Sequence, residues 1–360
     1  MGDSSTDLMN FVASMGGDRK LRVEENLGAG FVRLRVAEAE RRQAKHDIRC
    51  AEDAVVELLR NARDAGAQRI FVATSRAGDL RTITVLDDGS GIPENMHERV
   101  FDARVTSKLD SMHMDRWGVH GRGMALFSIS ENAQSARVVA SGEGLGTSIQ
   151  VVFDATQLTE RADQSTWPTV AVDQKGVSSV ASGPHNLIRT CCEFALEEHD
   201  ICDVYYGSAA EMVATIRRRV RPSVDGTLPL FVGDLHEVGV LERIVIAADA
   251  RELTQAAASV GLEISERTAH RIIAGEVRPS RSVYGRLLRP ERTSQDQLVD
   301  LMRDQRTLRI SAEDRSSFAQ VMEEAFSYLA DRYYLSLSAE PSVRISRGKV
   351  TVVFDINEAD

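Results

Sequence analysis

The chain has 360 residues, of which 42% are hydrophobic and 27% charged, and its formal net charge is −10. That length accommodates two or three domains of about 100–200 residues each, and the composition is that of a folded chain rather than a disordered one. The acidic balance excludes a global basic field for nucleic acid, so any DNA contact must come from a local patch; no apolar run approaches the ~20 residues of a membrane span.

Cys50, Cys191, Cys192 and Cys202 contain no CxxC pair. They are expected to be reduced, buried thiols of a cytoplasmic protein. The first residues, MGDSSTDLMNFVASMGG, lack a basic start followed by an apolar core, so no secretory signal is expected.

In chain order, residues 1–46 read as a loosely ordered Gly/Ser/Asp-rich arm followed by a charged helix over 33–45, RLRVAEAERRQAK. From Ala51, AEDAVVELLRNARDAGA sets Ala54, Leu58, Ala62 and Ala65 on one stripe at helical spacing. Gly66 suits the position just past that helix. RIFVATS and RTITVLD alternate and are rich in β-branched residues, which predicts two strands joined at Gly78 and Asp79. A glycine-punctuated stretch runs from Gly89 to Gly123. A helix, MALFSISEN, follows, and then two strands, ARVVAS and TSIQVVFD, joined by GEGLG. This order predicts an α+β sandwich over residues 47–154, a mixed sheet with helices on one face. Residues 155–248 begin with a boundary segment and continue with a helix near 185–198, a strand, CDVYY, and a helix at 208–219. Residues 249–335 read as a mainly helical region, and 336–360 as a closing β-hairpin.

Four elements carry chemistry. Glu57, Asn61 and Asp64 are spaced i, i+4, i+7 and project from one helix face. The Asn61 amide oxygen is a hard ligand of the kind Mg²⁺ takes. Glu57, one turn earlier, can polarise a water for attack on phosphorus. Asp87-Asp88-Gly89-Ser90-Gly91-Ile92-Pro93 follows a strand, so a carboxylate there can accept from a buried exocyclic amine, and the glycines admit close approach. Gly118-Val119-His120-Gly121-Arg122-Gly123-Met124 opens a helix, where backbone N–H groups and the helix dipole suit a phosphate chain. Gly146-Thr147 opens the last strand. Taken singly, these are equally a solvated helix face, an Asp-Gly turn and a flexible loop.

Taken together, in this order and spacing, they resemble the GHKL (Bergerat-fold) ATPase superfamily of gyrase, the heat-shock chaperone, histidine kinases and MutL. The resemblance implies that Asn61 holds Mg²⁺ and that Asp87, supported by Thr147, binds the adenine amine of ATP. By the same resemblance Gly89, Gly91 and Ile92 line the base pocket, and Asp64 belongs to the cofactor-binding set. Thr106, Ser107 and Lys108, with Gly118, Val119, His120, Gly121, Arg122, Gly123 and Met124, would form a lid over the phosphates. A Glu four residues before the Asn is the general base in the ATPase branches, which implies hydrolysis by Glu57. Three stretches, VVELLRNARDAGAQRIFV, ARVTSKL and GVHGRGMALFSIS, are most similar to MutL. The third lid glycine, Gly123, is nearer the B subunit of type IIB topoisomerases. The resemblance implies lid closure over ATP, an ATP-dependent homodimer, an unknown protein partner and a role in DNA repair or processing, with a transducer-like region as one reading of 155–248. The alternatives are a GHKL protein kinase and a nucleotide-sensing DNA-binding regulator.

Leu253–Gly261 and Ser265–Gly275 resemble a repressor-type helix-turn-helix. DNA would then be met within residues 254–289, by Ser265, Arg267, Thr268 and Arg271 with basic support from Arg278, Arg281, Arg286 and Arg289. The other reading is an αα-hairpin packed on the ATPase.

Overall fold

The computed structural model describes residues 23–36, 38–44, 46–107, 113–115, 118–120, 123–158, 160, 163–172, 178–222, 237–287, 312–333, 335–339, 341–346 and 349–358. The expected N-terminal arm, residues 1–20, lies outside them. Strand β1 (Val23–Gly28) pairs antiparallel with β2 (Phe31–Leu34), and helix α1 follows at Glu38–Ala44. The helix expected over 33–45 is thus divided. Val32 and Leu34 are buried while Phe31 and Arg33 are half-buried, a period of two that suits a strand. Pairing of Val32 and Arg33 with Thr106 and Val105 overrides the charged helical composition there.

Helix α2 (Ala51–Asp64) buries Ala51, Ala54, Val55, Leu58, Leu59 and Ala62, an apolar stripe at helical spacing. Each fully buried Leu or Val in it contributes about 1.5–3 kcal/mol. Gly66, at φ +75°, ends the helix. Its N–H donates to Arg63 O at 2.8 Å and the Ala67 N–H donates to Ala62 O at 3.1 Å, the paired bonds of a Schellman stop. Strands β3 (Arg69–Ala77) and β4 (Leu80–Asp87) form a hairpin. After β5 (Val105–Thr106), β6 (His113–Asp115) and β7 (Gly118–His120) pair with each other. Helix α3 (Ala125–Asn132) then leads to β8 (Ser135–Ser141) and β9 (Thr147–Asp154).

Downstream, β10 (Thr169–Val172) and β11 (Ser178–Ser182) form a hairpin, followed by α4 (Leu187–Glu197), β12 (Asp203–Gly207) and α5 (Ala209–Arg219). Strand β12 runs parallel to β3, giving one five-stranded mixed sheet in the order β12-β3-β4-β9-β8. Helices α6 (Glu242–Ile246), α7 (Ala250–Ser259), α8 (Glu266–Ile273) and α9 (Val283–Leu287) complete this unit. Alternation along the strands divides the core in two. Ile70, Val72, Ile83, Val85, Ile149 and Val151 face α2, α3 and α4. Phe71, Ala73, Leu86 and Tyr205 face α5 through α8. The block over 47–154 therefore covers only one sheet face with its own helices, as expected, and chain beyond it covers the other.

Residues 290–360 form a separate unit. In it α10 (Ala312–Tyr333) precedes β13 (Leu335–Leu337), which pairs with β16 (Ile356–Glu358), and β14 (Ser342–Ser346) forms a hairpin with β15 (Lys349–Val353). Phe326 and Phe354 stack within it at 5.0 Å. No described helix is long and apolar enough to cross a membrane.

Candidate nucleotide site

One face of α2 carries Asp53, Glu57, Arg60, Asn61 and Asp64, and all five line a cavity of about 770 Å³, a volume suited to a small-molecule ligand. Glu57 Oε1 accepts from Arg60 Nη1 at 2.6 Å. Asp64 is ion-paired with Arg63 at 2.9 Å. The amide nitrogen of Asn61 is buried and has no hydrogen-bond partner among the described residues. Leaving a buried polar group unsatisfied costs about 1–3 kcal/mol. On the wall of a cavity, such a group is a place where a ligand supplies the partner.

Across the cavity, β4 and β9 bring Asp87 opposite Thr147 in register. Asp87 is only 6% exposed, and its Oδ1 accepts the Gly89 N–H at 2.8 Å. A buried carboxylate is tolerated when hydrogen bonds hold it, and the Asp-Gly turn provides one. Two glycine contacts let the walls close. A Cβ on Gly91 would lie 1.8 Å from Gly142 O, and one on Gly146 would lie 2.2 Å from Asp87 O; both residues have positive φ. Ser141 Oγ ties the same corner, accepting from the Ile92 N–H at 2.7 Å and donating to Gly146 O at 2.9 Å.

Gly91, Ile92, Thr106, Ser107, Gly123, Met124 and Thr147 line this same cavity, joining residues that the sequence places up to 90 positions apart, from Glu57 to Thr147. Gly123, at φ +66°, accepts the Arg104 N–H at 2.8 Å, so the chain leading into α3 rests on the residue that precedes β5. Gly89 does not line the cavity: the space for its Cβ is taken by Ala65 O and Asp87 Oδ1, each 2.9 Å away, so it shapes the turn that holds Asp87. Gly118, Val119 and His120 form β7. Lys108, Gly121 and Arg122 lie outside the described residues. Sequence reasoning missed Phe31, Asp47, Asp53 and Arg60. Asp53 and Arg60 share the helical spacing of Glu57 and Asn61 and were legible from it, whereas Phe31 and Asp47 arrive through packing that no local motif reports.

On the other sheet face, Ala257, Val260, Leu262, Ala269 and Ile272 bury α7 and α8. Ser148 Oγ donates to Val260 O at 2.7 Å, and Gln150 Nε2 donates to Gly261 O at 3.1 Å. Ser265 caps α8, its hydroxyl accepting the Thr268 N–H at 3.2 Å. Arg267, Arg271, Arg278 and Arg281 are exposed and Thr268 is half-buried. Arg271 also pairs with Glu276 at 3.2 Å. Arg286 is engaged elsewhere, with its guanidinium 3.7 Å from the centre of the Trp167 ring, which packs with the first core. Arg289 lies outside the described residues.

A family profile described as "Histidine kinase-, DNA gyrase B-, and HSP90-like ATPase" matches residues 48–183. The DNA mismatch repair protein MutL of Listeria monocytogenes serovar 1/2a is 40% identical over 100 residues, which is 27% of this chain and 16% of that protein. MutL of Chlorobium phaeobacteroides is 36% identical over 126 residues, 34% of this chain and 20% of that one. MutL of Acidiphilium cryptum is 39% identical over 108 residues, 30% and 18% respectively. The matched stretch is thus a fifth or less of the length of these curated relatives. With the mixed sheet, the cavity on α2 and the Asp87 corner in place, residues 48–183 carry the likeness to the histidine kinase-, DNA gyrase B- and HSP90-like ATPase family.

Proposed function

We propose that the protein binds Mg·ATP in the α2 cavity and hydrolyses it, with Glu57 as general base. The observation that supports this reading best is the meeting of Glu57 and Asn61 on one helix face with buried Asp87 across a single cavity. Asp87 is suited to accept from the adenine amine, next to the Thr147 hydroxyl. Asn61 fits a Mg²⁺ ligand: it lines the cavity, and its amide oxygen is of the hard type that the ion takes. Bound Mg²⁺ would neutralise triphosphate charge and polarise the γ-phosphoryl group. The lid would be the chain from Glu94 to Gly123, closing when phosphates bind Ser107 and the backbone around Gly123. Two closed copies would then associate. Calorimetry with Mg·ATP tests the site: Asn61→Ala should lose binding, and an unchanged affinity would remove Asn61 from it.

A second reading, a nucleotide-sensing DNA-binding regulator, is favoured by the docking of α7 and α8. Thr147 lines the cavity while its neighbour Ser148 holds Val260 on the opposite face. Nucleotide state and a DNA surface at Ser265, Arg267, Thr268 and Arg271 would thereby share β9. The relatives' name, DNA mismatch repair protein, is consistent with DNA as a partner in either reading. DNA binding by the parent and by Arg267→Ala, with and without ATP, separates the two: nucleotide-dependent DNA affinity without turnover supports the regulator.

A further inference from the structure

Arg60 stands between Glu57 and Asn61 on the cavity wall and is 3% exposed. Its guanidinium meets Glu57 Oε1 at 2.6 Å, a charge-assisted bond at the short end of the N–H···O range. Nothing in the adenine- or metal-binding roles requires a cation here. A buried guanidinium is costly unless paired, and breaking such a pair by removing one partner is strongly destabilising for the charge left behind. Each member of this pair therefore restrains the other.

We propose that Arg60 is a positioning residue for Glu57, fixing the carboxylate in one rotamer facing the attacking water. The inference rests on the proposed hydrolysis. In that step the water oxygen bonds to the γ-phosphorus and its proton passes to Glu57. The bond from γ-phosphorus to the β,γ-bridging oxygen breaks, and ADP leaves with that electron pair, giving ADP and inorganic phosphate. The Glu57 side chain is 22% exposed, and the bond from Arg60 holds its carboxylate away from solvent-facing rotamers. The fork of a guanidinium does this better than an ammonium, which is a point charge on a flexible stem.

The test compares the parent, Arg60→Met and Arg60→Lys in the full chain, with kcat and Mg·ATP affinity measured separately. Arg60→Met should lower kcat by about 10- to 100-fold, the scale of misplacing a reacting group by roughly 1 Å, and leave affinity unchanged. Arg60→Lys should recover part of the rate. In a Glu57→Ala background, Arg60→Met should change the residual rate no further, because the two act as one unit. If Arg60→Met does not fold, Arg60→Lys carries the test, and a kcat equal to the parent's overturns the proposal. So does a raised kcat in Arg60→Met, which would make Arg60 a restraint on the base. Weakened ATP binding in both backgrounds overturns it too, by making Arg60 a phosphate ligand. A parent without turnover removes this inference together with the hydrolysis reading; a parent that turns over, with Arg60 dispensable, removes this inference alone.

Discussion

Gly91→Ala probes how tightly the adenine corner is built. Gly91 sits at φ +74° with its Cβ position 1.8 Å from Gly142 O, where real Cβ atoms stay beyond 3.0 Å. The difference of these two values requires the β8–β9 turn to retreat by about 1.2 Å. That turn is held by the Gly144 N–H to Ser90 O at 2.7 Å and by Ser141 on Ile92 and Gly146, so it cannot move freely. Left-handed backbone costs an alanine about 1–2 kcal/mol, and overpacking adds about 1–3 kcal/mol. The sum, about 2–5 kcal/mol, falls on the walls of the cavity. If half of it opposes the closed pocket, ATP affinity drops by roughly 5- to 60-fold, at about 1.4 kcal/mol per tenfold. Gly144→Ala is the control. It shares a φ of +74° but meets nothing within 4 Å, so it should carry the backbone cost alone and leave ATP affinity intact. Calorimetric titration and thermal melts of both variants give the answer. Equal losses of affinity in the two would refute the close-contact argument.

Asp87→Asn should weaken ATP binding, because an amide oxygen accepts less strongly than a carboxylate; ATP affinity equal to the parent's would reduce the Asp87 motif to a turn. Ser148→Ala removes a buried hydroxyl that donates to Val260 O, and should lower stability by about 1–3 kcal/mol by leaving that carbonyl unsatisfied, read as a shift in urea midpoint; no shift would mean that α7 is not held there. Burial pushes the Cys50 thiol up to about 11 and those of Cys192 and Cys202 up to about 12, and puts Cys191 well above its ordinary range. Folded pKa values raised above the unfolded one give stability that is complete below about 9 and is lost as pH rises through the folded values, so unfolding should become easier in alkali. At pH 8 the native protein should resist thiol reagents until it unfolds, and rapid labelling of the native state would contradict this burial. A non-hydrolysable ATP analogue should double the mass seen by light scattering, and one mass in both conditions would count against lid-gated dimerisation.

The sequence made the central sheet and helix α2 legible because each has one buried face with an unambiguous period. Ile70, Val72, Ile83 and Val85 alternate, and Leu58, Leu59 and Ala62 recur at helical spacing. Glycine at 66 and 91 was readable because both positions need positive φ. What local pattern could not report was the partner of each element. The Phe31–Leu34 strand is short and charged on its outer side, and only pairing with β1 and β5 makes it a strand. Strand β12 was visible as CDVYY, but its parallel place beside β3 depends on α4 crossing the sheet face. The docking of α7 and α8 rests on backbone carbonyls at Val260 and Gly261 meeting Ser148 and Gln150, a match set by tertiary placement. The spacing puts Arg60 on the same helix face as Glu57 and Asn61, but its burial against Glu57 comes from tertiary packing.

The most direct measurement is single-turnover hydrolysis and Mg·ATP affinity of Glu57→Ala beside the parent, with and without DNA. Glu57 is proposed to touch the attacking water and not the ground-state nucleotide, so its contribution belongs to the transition state. The variant should bind Mg·ATP as the parent does and lose about 10²–10⁴-fold in hydrolysis, the usual worth of a general base. A variant that hydrolyses at the parent's rate, or a parent with no turnover in either condition, would contradict the assignment of this cavity as an ATP-hydrolysing site.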